Sequence, residues 1–215
     1  MSDKSKTNKI TEKTNERAAT DPNNDFSDNP FTTISKVVES KQDLGWFIAD
    51  ANVIIDYVTT SPGIISLVAK HIGPIFVEAA VLDEVTLLNK AQSEKLGLTV
   101  VQANLAQLSE ASERGGPLSF EDKLCLVLAR QNGWVCLSND GPLRRACKAQ
   151  GVMVVWGLEI MLNLVGRNLL AADRAIEVAW AIHAMNPVYI SRGIVGRFAQ
   201  KVHELSGVDA AKGCT

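Results

Sequence analysis

A chain of 215 residues, 46% hydrophobic and 21% charged, can build one sizeable α/β core with tails, which excludes wholesale disorder and argues against two full domains. Its formal net charge of −2 gives no bulk attraction for polyanions, so any phosphate-binding surface has to be a local patch. Four cysteines (Cys125, Cys136, Cys147, Cys214) make no Cys-x-x-Cys pair, and His71, His183 and His203 are scattered, so no zinc cluster or disulfide framework is evident and a reducing cytoplasm is expected.

Residues 1–43 are rich in Lys, Thr, Asn, Asp and Ser. Such a segment buries too little apolar surface to offset its ordering entropy, so it is expected as a disordered tail, with a short helix over Pro30–Ser40. It lacks the apolar core of a secretory signal, and Asp3, Glu12, Glu16 and Asp21 are residues that a mitochondrial transit peptide avoids. No apolar run approaches the roughly 18–20 residues that span a bilayer, so no membrane association is expected.

From Trp46 onward, short β-rich runs alternate with helical patterns, as in parallel βα units. The expected strands are Trp46–Ala49, Pro74–Val77, Leu98–Gln102, Trp134–Leu137 and Val152–Trp156. Between them the spacing predicts helices at Val53–Val58, Ile64–His71, Ala80–Leu96, Asn104–Arg114, Phe120–Asn132 and Pro142–Gln150. Gly73, Gly97, Gly133 and Gly151 each fall between a helix and a strand, the position where glycine takes a left-handed conformation at no steric cost. Two or three further helices follow, over Leu158–Val165, Ala171–Met185 and Ser191–Leu205. The apolar spacing of Ile176, Ala179, Trp180 and Met185 gives the middle one a packing face, for the α/β core or for a second copy in a homodimer. The organisation is thus a tail (1–43), an α/β domain (44–158), C-terminal helices on it (159–206) and a flexible end (207–215).

Open parallel sheets bind ligands outside the carboxyl ends of their strands. Acidic residues stand at four such corners. Asp50 and Asn52 follow the first strand, with Asp56 a turn later; Asp83 and Glu84 follow the second; Glu121 and Asp122 open the helix before the fourth; Ser138, Asn139 and Asp140 follow the fourth. Each also has a plainer role. Ser119-x-x-Asp122 has capping-box spacing, Asn52, Asn139 and Asp140 suit N-caps, and Asp83 and Glu84 suit a solvated helix face. Crowded carboxylates raise one another's proton affinity, a conflict that a hard divalent cation such as Mg²⁺ or Mn²⁺ removes. Such a site suits phosphodiester hydrolysis without a nucleophilic side chain.

The strings resemble the PIN-domain family. Phe47-Ile-Ala-Asp50-Ala-Asn52-Val-Ile-Ile-Asp56 is similar to its opening motif, and Val81-Leu-Asp-Glu84-Val to its second. Leu118-Ser-Phe-Glu-Asp122-Lys-Leu resembles the third, and Cys136-Leu-Ser138-Asn139-Asp140-Gly-Pro-Leu-Arg144 the fourth. Asn186-Pro-Val-Tyr-Ile-Ser-Arg-Gly-Ile-Val is similar to the tail of prokaryotic PIN proteins related to VapC toxins. The resemblance implies a three-layer α/β/α fold on a parallel five-stranded sheet. It implies Mg²⁺ or Mn²⁺ held by Asp50, Glu84, Asp122 and Asp140, assisted by Asn52 and Ser138, with Asp56, Asn139 and Glu121 as outer candidates. The activity implied is endonucleolytic cleavage of RNA, in a toxin restrained by a small antitoxin protein. For the RNA, the basic residues Arg144, Arg145 and Lys148 after Asp140 are candidates, as is a second stripe of Arg192, Arg197 and Lys201. Trp134 and Trp156 are expected in the core rather than as base-stacking platforms.

Three other classes stand beside this one. A PIN fold without catalysis, a scaffold for RNA or protein, shares every feature except metal-dependent cleavage. A phosphoryl-transfer enzyme with an aspartate nucleophile needs a second Asp two residues after the first, where Asn52 stands. A dinucleotide-binding domain lacks its Gly-x-Gly-x-x-Gly after the first strand.

Overall fold

A computed structural model describes residues 45–207 of the chain. The expected N-terminal tail with its Pro30–Ser40 helix, Cys214 and the end beyond Gly207 lie outside the described residues. Five short strands form one sheet: β1 (Phe47–Ala49), β2 (Ile75–Glu78), β3 (Leu98–Val101), β4 (Val135–Leu137) and β5 (Val154–Val155). All neighbours are parallel, in the order β3-β2-β1-β4-β5. The chain winds outward from β1 through β2 to β3, then returns to place β4 on the other side of β1. The strand order therefore reverses between β1 and β4, which opens a crevice at their carboxyl ends. Every residue of β1 and β4 is buried, as expected for apolar strands covered on both faces. β3 lies at the edge and alternates, with Thr99 exposed.

Among the described residues ten helices surround the sheet: α1 (Ala51–Thr60), α2 (Gly63–His71), α3 (Ala79–Glu84), α4 (Lys90–Lys95), α5 (Leu105–Ala111), α6 (Phe120–Asn132), α7 (Gly141–Ala149), α8 (Glu159–Gly166), α9 (Ala172–Met185) and α10 (Arg192–Ser206). The single helix expected over Ala80–Leu96 is two. Val85 leaves the helix at φ −86°, ψ 75°, burying its side chain, and Asn89 starts α4 with a reciprocal capping box to Gln92. Glu84 is consequently the last residue of α3. Gly97, Gly133 and Gly151 have positive φ as expected, but Gly73 does not. A side chain at Gly73 would collide with the carbonyl oxygen of Gly45, so close backbone approach explains it.

α8, α9 and α10 share one continuous core with the sheet, through Ile160, Met161 and Leu164, then Val178 and Ile182, then Val195, Phe198 and Val202. Each such fully buried large side chain contributes roughly 1.5–3 kcal/mol. The buried stripe of α9 is Ala175, Val178, Ala179 and Ile182; Trp180 and Met185 face outward, contrary to the packing face expected for them. Trp156 is buried, and Trp134 is half-buried, stacked on Phe76 at 4.1 Å at the amino end of β4, away from the crevice. The three histidines are half-buried helix residues. Among the described residues no single helix is long and apolar enough to cross a membrane; α1 and α2 qualify only jointly and meet at 118°.

Candidate functional site

The register of the central strands brings the first and last acidic segments together. Ala49 pairs with Leu137, and the Asp50 amide donates to the Leu137 carbonyl at 3.0 Å. Asp50 and Ser138 thus leave the sheet side by side at the reversal point. Asp50 occupies the N-cap position of α1 but makes no capping bond, so its carboxylate is turned to other partners. Oδ2 accepts from the Ser138 hydroxyl at 2.9 Å and weakly from Asn52 Nδ2 at 3.5 Å. Oδ1 accepts no hydrogen bond among the described residues. The side chain is buried, and its pKa is pushed up to about 7. Burial is the largest cause; the Ser138 bond opposes it, while the charges of Asp122 and Asp140 add to it.

Ser138 has a second task. Its buried hydroxyl accepts from the Asp140 amide at 3.0 Å while donating to Asp50. One atom therefore ties both acids to a common position. Asp140 caps α7 with Oδ2, which accepts from the Leu143 amide at 2.8 Å. Burial raises its pKa, the Leu143 bond counteracts this, Asp122 raises it further and Arg145 lowers it. Asp122 closes the capping box with Ser119, its Oδ2 accepting the Ser119 amide at 3.0 Å. In both acids the cap engages one oxygen and leaves the other without a hydrogen bond among the described residues. The plain role and the functional one are compatible because a carboxylate has two oxygens.

Glu84, at the exposed end of α3, completes the group. Partial burial raises its pKa, followed by the charges of Glu121 and Asp122. Asp122 acts on Asp50, Asp140 and Glu84 alike and is the common member of the four. Asp83 is exposed on the same short helix.

Asp56 and Asn139 form a separate buried network behind the acids. Asn139 Nδ2 donates to Asp56 Oδ2 at 2.9 Å, and Asn139 Oδ1 accepts from the Gly157 amide at 2.9 Å. Asn186 Nδ2 donates to Asp56 Oδ1 at 2.9 Å. Burial drives the Asp56 pKa up to about 6 against these two amide bonds. Tyr57 donates to the Gly157 carbonyl at 2.7 Å. A Cβ at Gly157 would stand 3.1 Å from the Asn139 amide, so a side chain there would press on the Asn139 side chain. Both Asp56 oxygens are used, which makes it a positioning residue. Asn139 is no N-cap, and Asn52 lies inside α1; both differ from the capping roles open to them in the sequence.

Three residues were missed. Glu78 ends β2 and is buried; its Oε2 accepts from the Ala80 amide at 2.5 Å, capping α3, and its Oε1 from the Ala103 amide at 3.2 Å, so it ties the start of α3 to the segment after β3. Its place at a strand end was the available signal, but the expected strand stopped at Val77. Asn186 reaches Asp56 from 130 positions away, which no local pattern reveals. Tyr189, held in the turn that Asn186 anchors, has its pKa raised by burial, then by the charges of Asp140, Asp50 and Asp122.

The basic candidates divide. Arg144 is buried and stacks over Trp156 with its guanidinium 3.8 Å from the ring centroid, so it is not a surface phosphate ligand. Its pKa is held down to about 10, chiefly by burial, with Glu159 opposing. Arg145 and Lys148 are exposed on α7. In the second stripe Arg192 is exposed and Arg197 half-buried, while Lys201 pairs with Glu204 at 2.7 Å.

Among the described residues no three Asp, Glu, His or Cys side chains stand in a ready-made metal-holding arrangement. The fit of a hard cation rests on the donor set: mutually interacting carboxylates, three of them with one oxygen free of hydrogen bonds among the described residues, with the one neighbouring thiol, Cys125, buried and turned to the Ala49 carbonyl. No protein-family profile, curated protein or solved structure matches this chain.

Proposed function

We propose that this chain is a metal-dependent endoribonuclease of the PIN type, working at the carboxyl ends of β1 and β4. The observation that supports it is the single acidic group at the sheet's reversal point, in which Asp122 acts on Asp50, Asp140 and Glu84. Asp50, Asp122 and Asp140, with Glu84 at the rim, would hold Mg²⁺ or Mn²⁺. The bound cation would supply Lewis acidity to the phosphodiester and acidify an attacking water. Ser138 keeps Asp50 and Asp140 in fixed relation, and Asn52 supports the same Asp50 oxygen. Asp56 and Asn139 hold the β4–α7 corner against β5 and α9 from behind. Tyr189, whose phenol feels the charges of Asp140, Asp50 and Asp122, would be the hydroxyl donor to a phosphate oxygen. The toxin–antitoxin setting belongs to this reading through the motif resemblance, with an antitoxin covering the crevice.

The test is incubation of purified protein with mixed RNAs in Mg²⁺, Mn²⁺ or EDTA, beside Asp50→Ala and Asp140→Ala. Cleavage that requires the cation and disappears in both variants supports the proposal. Cleavage that persists in EDTA or in both variants removes it. Absence of Mn²⁺ binding, with RNA retention unchanged in Asp50→Asn, would favour a non-catalytic scaffold.

A further inference from the structure

Between α6 and α7 lies an open groove of about 600 Å³. Lys123, Leu126, Val127 and Arg130 line it from α6, and Pro142, Arg145, Ala146 and Ala149 from α7. Both sets run i, i+3, i+4, i+7, so one ridge of each helix forms a wall. The loop Glu113–Leu118, with Arg114 followed by Gly115 and Gly116, closes the side. The two helices run the same way. Their amino ends carry Asp122 and Asp140, and near their carboxyl ends Arg130 donates to Gln150 at 2.9 Å. The groove therefore runs along the two helices whose first turns carry Asp122 and Asp140.

Its charge is unlike that of the acidic group. Four cations line it against two carboxylates, Glu110 and Glu113, and Glu110 already pairs with Arg130. Arg114 and Arg145 have no salt-bridge partner among the described residues, and both are exposed. Arg145 also stands near enough to Asp140 to lower its pKa. From Asp122 to Arg130 the α6 rise is about 12 Å, the length of roughly three stacked nucleotides at about 3.4 Å each. The Leu118, Leu126 and Val127 floor gives bases an apolar surface, and the arginines meet phosphates at the rim.

We infer that this groove carries the single-stranded RNA on its way to or from the acidic group, with Arg114 and Arg145 as phosphate ligands and Arg130 at the far end. The inference rests on the ribonuclease reading for its direction, and Lys148, which does not line the groove, has no part in it.

The experiment uses full-length Asp50→Asn protein and a fluorescein-labelled 12-nucleotide RNA, with anisotropy read in Mg²⁺ between about 50 and 200 mM salt. The backgrounds compared are Asp50→Asn alone, with Arg114→Gln plus Arg145→Gln, and with Arg174→Gln, which removes one arginine charge from α9, away from the groove. The double groove variant is expected to weaken binding at least tenfold and to flatten the log–log salt slope by about 1.4, two phosphates at about 0.7 each. Arg174→Gln should leave both unchanged. Equal binding by all three overturns the groove assignment, and so does equal loss in Arg174→Gln. Wild-type cleavage, measured in parallel, separates the two ideas. Cleavage with groove-independent binding sinks the groove alone; groove-dependent binding without cleavage sinks the nuclease reading alone; neither binding nor cleavage sinks both.

Discussion

Replacing Asp50 by Asn should make the metal-free protein more stable at pH 8, although it removes the residue placed at the centre of the site. The wild-type carboxyl titrates near 3.8 when unfolded and near 7 when buried beside Asp122 and Asp140. The folded state therefore holds its proton more tightly than the unfolded state. Stability is undiminished below about pH 4 and falls as pH rises toward 7, where the buried group must ionise. A gap of about three pK units at 1.36 kcal/mol each amounts to roughly 4 kcal/mol above pH 7 and less than 1 kcal/mol near pH 4. Asn never ionises, has nearly the same shape, and its Oδ1 can still accept from Ser138. Structural relaxation and water entry reduce the gain, so about 2–4 kcal/mol is expected, a rise in Tm of roughly 5–10 °C for a chain of this size. The assay is thermal melting in EDTA from pH 4 to 8, with and without Mn²⁺. At pH 8, Mn²⁺ should stabilise the wild type, by about 2.7 kcal/mol at a hundredfold excess over Kd, and stabilise Asp50→Asn far less. A variant that melts no higher than wild type at pH 8, or a gap that does not change with pH, would refute the argument.

Asn139→Ala should cost about 3 kcal/mol in urea unfolding, because it leaves the Gly157 amide without its acceptor and Asp56 with one donor fewer. The loss should grow as pH rises through about 6, where Asp56 ionises and most needs the amide. Tyr189→Phe keeps the ring and removes the hydroxyl; RNA cleavage should drop roughly tenfold, the value of about 1.4 kcal/mol in the barrier, while the melting temperature stays within about 2 °C. An unchanged rate would remove Tyr189 from the site.

Much of the architecture was legible because it is written in short-range terms. Apolar runs of strand length, helical spacing and glycine after each helix are local properties, and Ser119 and Asp122 form a cap whatever lies around them. Legibility failed where a neighbour distant in sequence decided the outcome. Val85 breaks the helix expected over Ala80–Leu96, and its buried position belongs to the core it enters. Arg144 and Arg145 are adjacent and chemically identical, yet one stacks on Trp156 inside and the other faces solvent. Only the side of α7 that meets β5 distinguishes them. Asn186 reaches Asp56 because α9 packs back against α1.

Read as text alone, the chain determined which segments become strands and helices, and which acids stand just past a strand or at a helix start. The tertiary structure decided that β4 lies beside β1, with Ala49 against Leu137, so that Asp50 and Ser138 emerge as neighbours. Backbone preferences act over a few residues. Strand order is chosen by which long-range arrangement buries every apolar face at once, and that choice turns separated carboxylates into one interacting group.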